Sequence, residues 1–166
     1  MKTRQKLAVL LAAFTLVVFA SFMSVAPAKK GDYDWMKARL DASKTYTMAV
    51  LEAMPKDAYT YKPNEDQRTF AAQAYHIVYS IDYFHRAFAN GGNAQWQPGD
   101  EEAMSKAELI DWANKKFDEM NDFILKQETN DRLTAGVMSY LDHNAHHRGQ
   151  IVTYLRMKGI QPPNYQ

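Results

Sequence analysis

His143-Asn144-Ala145-His146-His147-Arg148-Gly149-Gln150 is the stretch around which the rest of the chain is organised. Taken as helix, it places His143 and His147 about 40° apart around the axis and about 6 Å apart along it, so that both imidazoles reach one point in space. This is the spacing of two metal-ligating histidines riding on one helical face. Working outward, the residues that share their face are Gly136, Tyr140, Gln150 and Tyr154, a polar and aromatic strip that a pure packing face would not carry. The helical pattern runs from about Leu133 to Lys158, where Gly159 and the Pro162-Pro163 pair end it.

Three further helices are legible upstream. From Asp32 apolar and small residues recur at threes and fours through Met36, Leu40, Ser43, Thr47, Val50, Leu51 and Met54, and Pro55 stops them. A polar, tyrosine-rich connection leads to an N-cap expected near Asn64 or Asp66. The second helix is predicted from about Gln67 to Phe88, with an apolar stripe at Ala74, Ile77, Val78, Ile81, Phe84 and Phe88. Beside it lies a stripe of different character, Gln73, His76, Ser80 and Tyr83. Residues 90–104 carry no pattern; they contain Trp96 and the acids Asp100, Glu101 and Glu102, and long loops of this kind are often lids or binding loops. Ser105-Lys106-Ala107-Glu108 is a capping box that opens the third helix, with a core stripe through Leu109, Trp112, Ala113, Phe117, Met120 and Ile124. No segment alternates with period two for long enough to insist on a sheet. The reading is all-α: an antiparallel four-helix bundle over residues 29–166.

The first residues are set apart from that fold. Lys2, Arg4 and Lys6 precede an uncharged run from Leu7 to Val25, and Ala26-Pro27-Ala28 follows. Basic start, apolar middle and A-x-A end read as a secretory signal peptide over residues 1–28. The alternative is an uncleaved signal anchor, with residues 7–25 holding the protein to the membrane. Either way the domain is expected to be exported, periplasmic or extracellular. The absence of cysteine rules out disulfides and a lipidated cysteine after the signal. Removing the three basic residues and no acid takes the formal charge from +1 to −2. That near-neutral domain carries no basic stripe for a phosphate backbone, so nucleic acid is not an expected partner.

A catalytic zinc commonly takes three protein ligands and a water, and bundle sites draw them from facing helices. Of the five histidines, His76 is the candidate third ligand, because His85, on the same helix, points about 180° away from it. Spacing alone leaves the blander reading open: histidines hydrogen-bonded in a core without any ion. His146 lies about 100° from His147 and is expected at the solvent or against a neighbouring helix. Arg148 projects away from the ligand face, which suggests a structural ion pair. Gly149 in mid-helix costs about 1 kcal/mol against alanine, a cost usually offset by close approach of a neighbouring helix.

The run His143-x-x-His146-His147-Arg148-Gly149-Gln150, continuing through Tyr154-Leu155-Arg156 to Gly159 and Pro162-Pro163, resembles the C-terminal signature of the DinB-like (DinB/YfiT) superfamily. Ala72-x-x-x-His76-Ile77 matches that family's other marker, a histidine partway along the second helix. The resemblance covers essentially the whole domain. It implies a four-helix bundle, often homodimeric, that binds a divalent metal through His76, His143 and His147. Zinc is the first expectation, with nickel, iron or manganese as alternatives, since imidazole suits several of these ions. Ser80, Tyr83, Tyr140, Gln150 and Tyr154 are the expected second shell or pocket wall, with Gln150 placed to orient a ligand.

Relatives in the superfamily include metal-dependent transferases and isomerases that use low-molecular-weight thiols, and members that look like metal-dependent hydrolases. The resemblance therefore implies a small-molecule substrate and a metal-dependent hydrolase or thiol-dependent transferase. Export counts against the thiol version, because the usual thiol cosubstrates stay in the cytoplasm. The alternative is a non-catalytic extracytoplasmic protein that binds metal or ligand. No residue of clear general-base character stands beside the histidines, as Asp82 and Asp142 both point well away from them.

Overall fold

The computed structural model describes residues 33–165. The signal-peptide reading of residues 1–28 lies outside the described residues.

The chain enters through a 3-10 turn, Asp34–Met36, and continues as helix α1, Lys37–Ala53. Leu40, Thr47, Val50 and Leu51 turn inward from α1, and Met54 leaves it in an extended conformation, as a residue before proline prefers. Helix α2 spans Phe70–Ala89, and its N-cap is Thr69, whose hydroxyl accepts from Ala72 N at 3.1 Å. The expected cap at Asn64 or Asp66 is thus corrected by several residues. Asn64 is used in a turn of its own, its side-chain oxygen accepting from Asp66 N. The first N–H groups of α2 meet instead the carbonyls of the preceding loop: Phe70 N donates to Tyr61 O and Ala71 N to Tyr59 O, both at 2.8 Å.

Helix α3, Lys106–Leu125, opens on the capping box read in the sequence, with Ser105 and Glu108 each accepting from the other's backbone. Helix α4, Asp131–Met157, starts two residues earlier than its apolar pattern because Asn130 caps it through Leu133 N at 2.8 Å. Gly159 follows at φ +72°, and Ile160 N bonds back to Leu155 O, a glycine-terminated helix end.

The four helices form the expected bundle, in which α1 and α2 each pack between α3 and α4. Two neighbouring pairs are antiparallel. Along α2 and α4, Phe88 meets Gly136, His76 meets His147, and Tyr154 reaches Arg68. Along α1 and α3, Lys44 pairs with Asp118 and Lys106 with the carbonyl of Met54. The other two neighbouring pairs run parallel: Asp82 and His85 of α2 meet Lys116 and Phe123 of α3, and Arg39 and Thr47 of α1 meet Asp142 and Arg148 of α4.

The parallel pair α2 and α3 explains the long unpatterned segment. After α2 the chain must return along its whole length, about 30 Å for 20 residues, before α3 can begin. It does so as an extended strap fastened to α2 in reverse order. Arg86 holds Gln95 O, Tyr79 Oη accepts from Gln97 N at 2.8 Å, Tyr75 donates to Pro98 O, and Arg68 and Thr69 hold Glu101 and Glu102.

Candidate metal centre

His76 comes from the middle of α2, and His143 and His147 from consecutive turns of the antiparallel α4. One ring nitrogen from each lies within 4.8 Å of the other two. His76 and His147 approach most closely, Nε2 to Nε2 at 3.1 Å. The centroids of His143 and His147 are 4.4 Å apart. His146 is exposed, and His85 packs on Phe123 away from the cluster.

All three rings are partly buried, and burial is the main cause that pushes their pKa values down, to about 4 for His76 and about 4 for His143. The neighbouring imidazoles add to the effect. His147 is lowered as well, again mainly by burial, with the hydrogen bond to Gln150 acting in the opposite direction. At neutral pH the trio is therefore uncharged, with lone pairs available to a cation. Gln150 Oε1 lies 2.7 Å from His147 Nδ1, placed to accept an N–H from it in the tautomer whose lone pair sits on Nε2, the atom facing His76. Among the described residues, Nδ1 of His76 and Nδ1 of His143 are buried without a hydrogen-bond partner. Three neutral imidazoles converging at this separation suit a borderline-soft divalent ion.

A model of the DinB family matches residues 35–166, nearly all of the described chain. The chain belongs to the DinB family. It is 25% identical over 140 residues to the uncharacterized protein YjoA of Bacillus subtilis, an alignment covering 74% of this chain and 89% of that protein. The crystal structure of the DinB-like YjoA superposes with a TM-score of 0.63 at 23% identity, covering 80% of this chain and 99% of that one. A DinB-like protein from Bacillus cereus gives the same TM-score at 17% identity, covering 78% and 94%. At these identities the two structures establish the shared fold.

Around the histidines of this DinB-family chain, the expected pocket residues divide. Gln150 touches the cluster directly. Tyr83 packs on Trp96, and Tyr140 is fully buried against Phe84, whose ring also meets His143 at 5.7 Å. Burial pushes the Tyr140 phenol far above its ordinary pKa. Tyr154 donates to Arg68 O at 3.1 Å, and Ser80 donates to Ile77 O within its own helix, so neither hydroxyl is aimed at the histidines.

Three residues enter the site that sequence reading did not place there. Gln73 is buried, lies 2.8 Å from His147 Nδ1 and donates to Gln150 Oε1 at 3.0 Å. Its position one turn before His76 was the available signal. Trp96 and Glu101 come from the strap. The indole lies 5.3 Å from the His76 ring, and a Glu101 oxygen lies 3.9 Å from His76 Nδ1. Since burial keeps His76 neutral, that last contact is a carboxylate beside an imidazole rather than an ion pair.

Two expectations outside the cluster are corrected. Arg148 forms no ion pair among the described residues. It is buried, donates to Thr47 Oγ1 at 3.0 Å and more loosely to Ser43, and stacks over Tyr46, because the helix it faces offers hydroxyls and a ring. Gly149 is approached by nothing, with open space where a Cβ would stand. The close approach belongs to Gly136, where a Cβ would sit 2.7 Å from Phe88 Cε1.

Proposed function

We propose that the protein holds one divalent metal ion, zinc first, on His76, His143 and His147 and uses it to transform a small-molecule substrate, by hydrolysis ahead of thiol transfer. The observation that carries this reading is the convergence of three neutral imidazole nitrogens within 4.8 Å. When bound, such an ion supplies Lewis acidity and lowers the pKa of a coordinated water or thiol toward about 7. The chain's own residues do the rest. Gln150 and Gln73 fix the ring of His147, while Trp96 packs against that of His76. A mainly apolar pocket of about 420 Å³, lined by Tyr83, Phe84, Phe123 and Leu133 among others, lies across Phe84, whose ring meets His143 at 5.7 Å; the histidines themselves do not line it.

A second reading, a non-catalytic protein that binds metal or ligand, is favoured by one observation. No carboxylate joins the three converging imidazoles: Asp82 pairs with Lys116 and Arg86, Glu101 pairs with Arg68 through one oxygen and stands behind His76 with the other, and Asp142 lies near Arg39 at the surface.

We place the domain outside the cytoplasm, periplasmic or extracellular, on the composition of residues 1–28, and we propose a homodimer without a nucleic-acid partner. Membrane contact is assigned only to residues 7–25 if uncleaved. Among the described residues no helix is long and apolar enough to cross a membrane.

The test is the metal content of the protein, purified without a histidine tag, beside a His143→Ala/His147→Ala variant. About one metal per chain, lost in the variant, supports the site. Hydrolase and thiol-transfer substrates are then screened with that ion, and turnover in the native protein alone supports the enzyme over the binding protein.

A further inference from the structure

The strap between α2 and α3 brings one carboxylate to the rear edge of a histidine in the cluster. Glu101 is only partly exposed, and its Oε1 lies 3.9 Å from His76 Nδ1, a buried nitrogen with no hydrogen-bond partner among the described residues. The opposite nitrogen, Nε2, is the one that faces His147. Glu101 therefore stands behind the ring, outside the group of converging donor atoms, which consists of the three histidines alone.

A histidine that gives Nε2 to a metal carries its proton on Nδ1, and that N–H needs an acceptor if it is buried. His147 has one in Gln150. We propose that Glu101 is the acceptor for His76, a positioning residue that fixes its tautomer and ring orientation from the strap. The inference rests on the three-histidine metal site proposed above.

The separation is about 1 Å beyond hydrogen-bond length, and contacts that are long in a ligand-free site often tighten when the ligand binds. The carboxylate itself is held in place. Arg68 Nε donates to the other oxygen of Glu101 at 2.7 Å, and the carbonyl of Arg68 is held by Tyr154 from α4. Glu102 on Thr69 and Pro98 on Tyr75 pin the strap on both sides. Glu101 thus has one oxygen engaged by a cation and one turned toward the imidazole, an arrangement suited to receiving a proton without ligating the ion.

The experiment compares the full chain with Glu101→Gln, Glu101→Ala and His143→Ala. Zinc affinity is measured by competition with a chromophoric chelator, and the zinc-loaded proteins are inspected by nitrogen-labelled NMR for an exchange-protected imidazole N–H. Metal-free melting temperatures verify that each variant folds. Glu101→Ala is expected to bind zinc about 10- to 100-fold more weakly and to lose the His76 N–H signal, with Glu101→Gln, which retains an acceptor, in between. A merely structural strap contact would shift the melting temperature and leave the signal in place. If native protein binds zinc well above His143→Ala while Glu101→Ala matches it within about twofold and keeps the signal, Glu101 is not the acceptor and the metal site survives. If native protein binds no more zinc than His143→Ala, the metal site itself is overturned and this inference with it.

Discussion

The Nε2 atoms of His76 and His147 stand 3.1 Å apart although the residues are 71 positions apart in sequence. Two neutral ring nitrogens at that distance share a proton, or they turn both lone pairs to a cation. When His76 is the donor, the first option leaves its buried Nδ1 as a lone pair; the second makes that atom an N–H beside Glu101.

Zinc should therefore stabilise the folded protein. At a free concentration about 100 times the dissociation constant the gain is about 2.7 kcal/mol, read as a rise in melting temperature reversed by chelator. His147→Ala should abolish that rise. An equal rise in the variant would place the ion elsewhere.

Without metal, stability should depend on pH through His76 and His143. Their folded pKa values, about 4, lie below the unfolded value of about 6.5. Above pH 6.5 neither state binds the protons and the contribution is complete. As pH falls from about 6.5 toward 4 the unfolded chain takes up protons that the folded protein refuses, so stability is lost across that window. Urea denaturation at several pH values measures it, and a His76→Gln/His143→Gln variant should show a shallower decline than the native chain.

The two glycines of α4 should respond oppositely to alanine. Gly149→Ala meets open space and should stabilise by about 1 kcal/mol, the helix-propensity difference. Gly136→Ala drives a methyl into the half-buried Phe88, and overpacking of roughly 1–3 kcal/mol outweighs the same propensity gain. Equal shifts in the two denaturation midpoints would contradict this.

Arg148 should tolerate methionine better than lysine. Its guanidinium is buried over Tyr46 with hydroxyl partners and no carboxylate, so an apolar side chain of similar length leaves no stranded charge behind. Arg148→Met should change stability by less than about 1 kcal/mol, while Arg148→Lys, a more strongly hydrated cation without the flat face, should cost about 1–3 kcal/mol. Chemical denaturation of the pair gives the order.

What the sequence made legible was whatever depends on helical period or on a local cap. His143 and His147 share a face by spacing, His76 followed by elimination among few histidines, and the Ser105–Glu108 box announced α3. The Thr69 cap was hidden by several equally good capping residues just before it. For Arg148 and Gly149 a helical wheel gives a direction and not the neighbour found there: hydroxyls and a tyrosine for one, empty space for the other. Trp96 and Glu101 lie in a segment without period. Their place depends on α2 and α3 running parallel, which only the assembled bundle fixes.

The strap has a consequence for watching this protein work. It sets the indole of Trp96 5.3 Å from His76, whereas Trp112 packs on Tyr75 and Trp35 stacks on Tyr33. One of the three native tryptophans is thus a fluorophore in contact with the site, and its emission should respond when the imidazole takes a proton or a cation. Occupancy can be followed optically in the unlabelled protein, with Trp96→Phe as the blank.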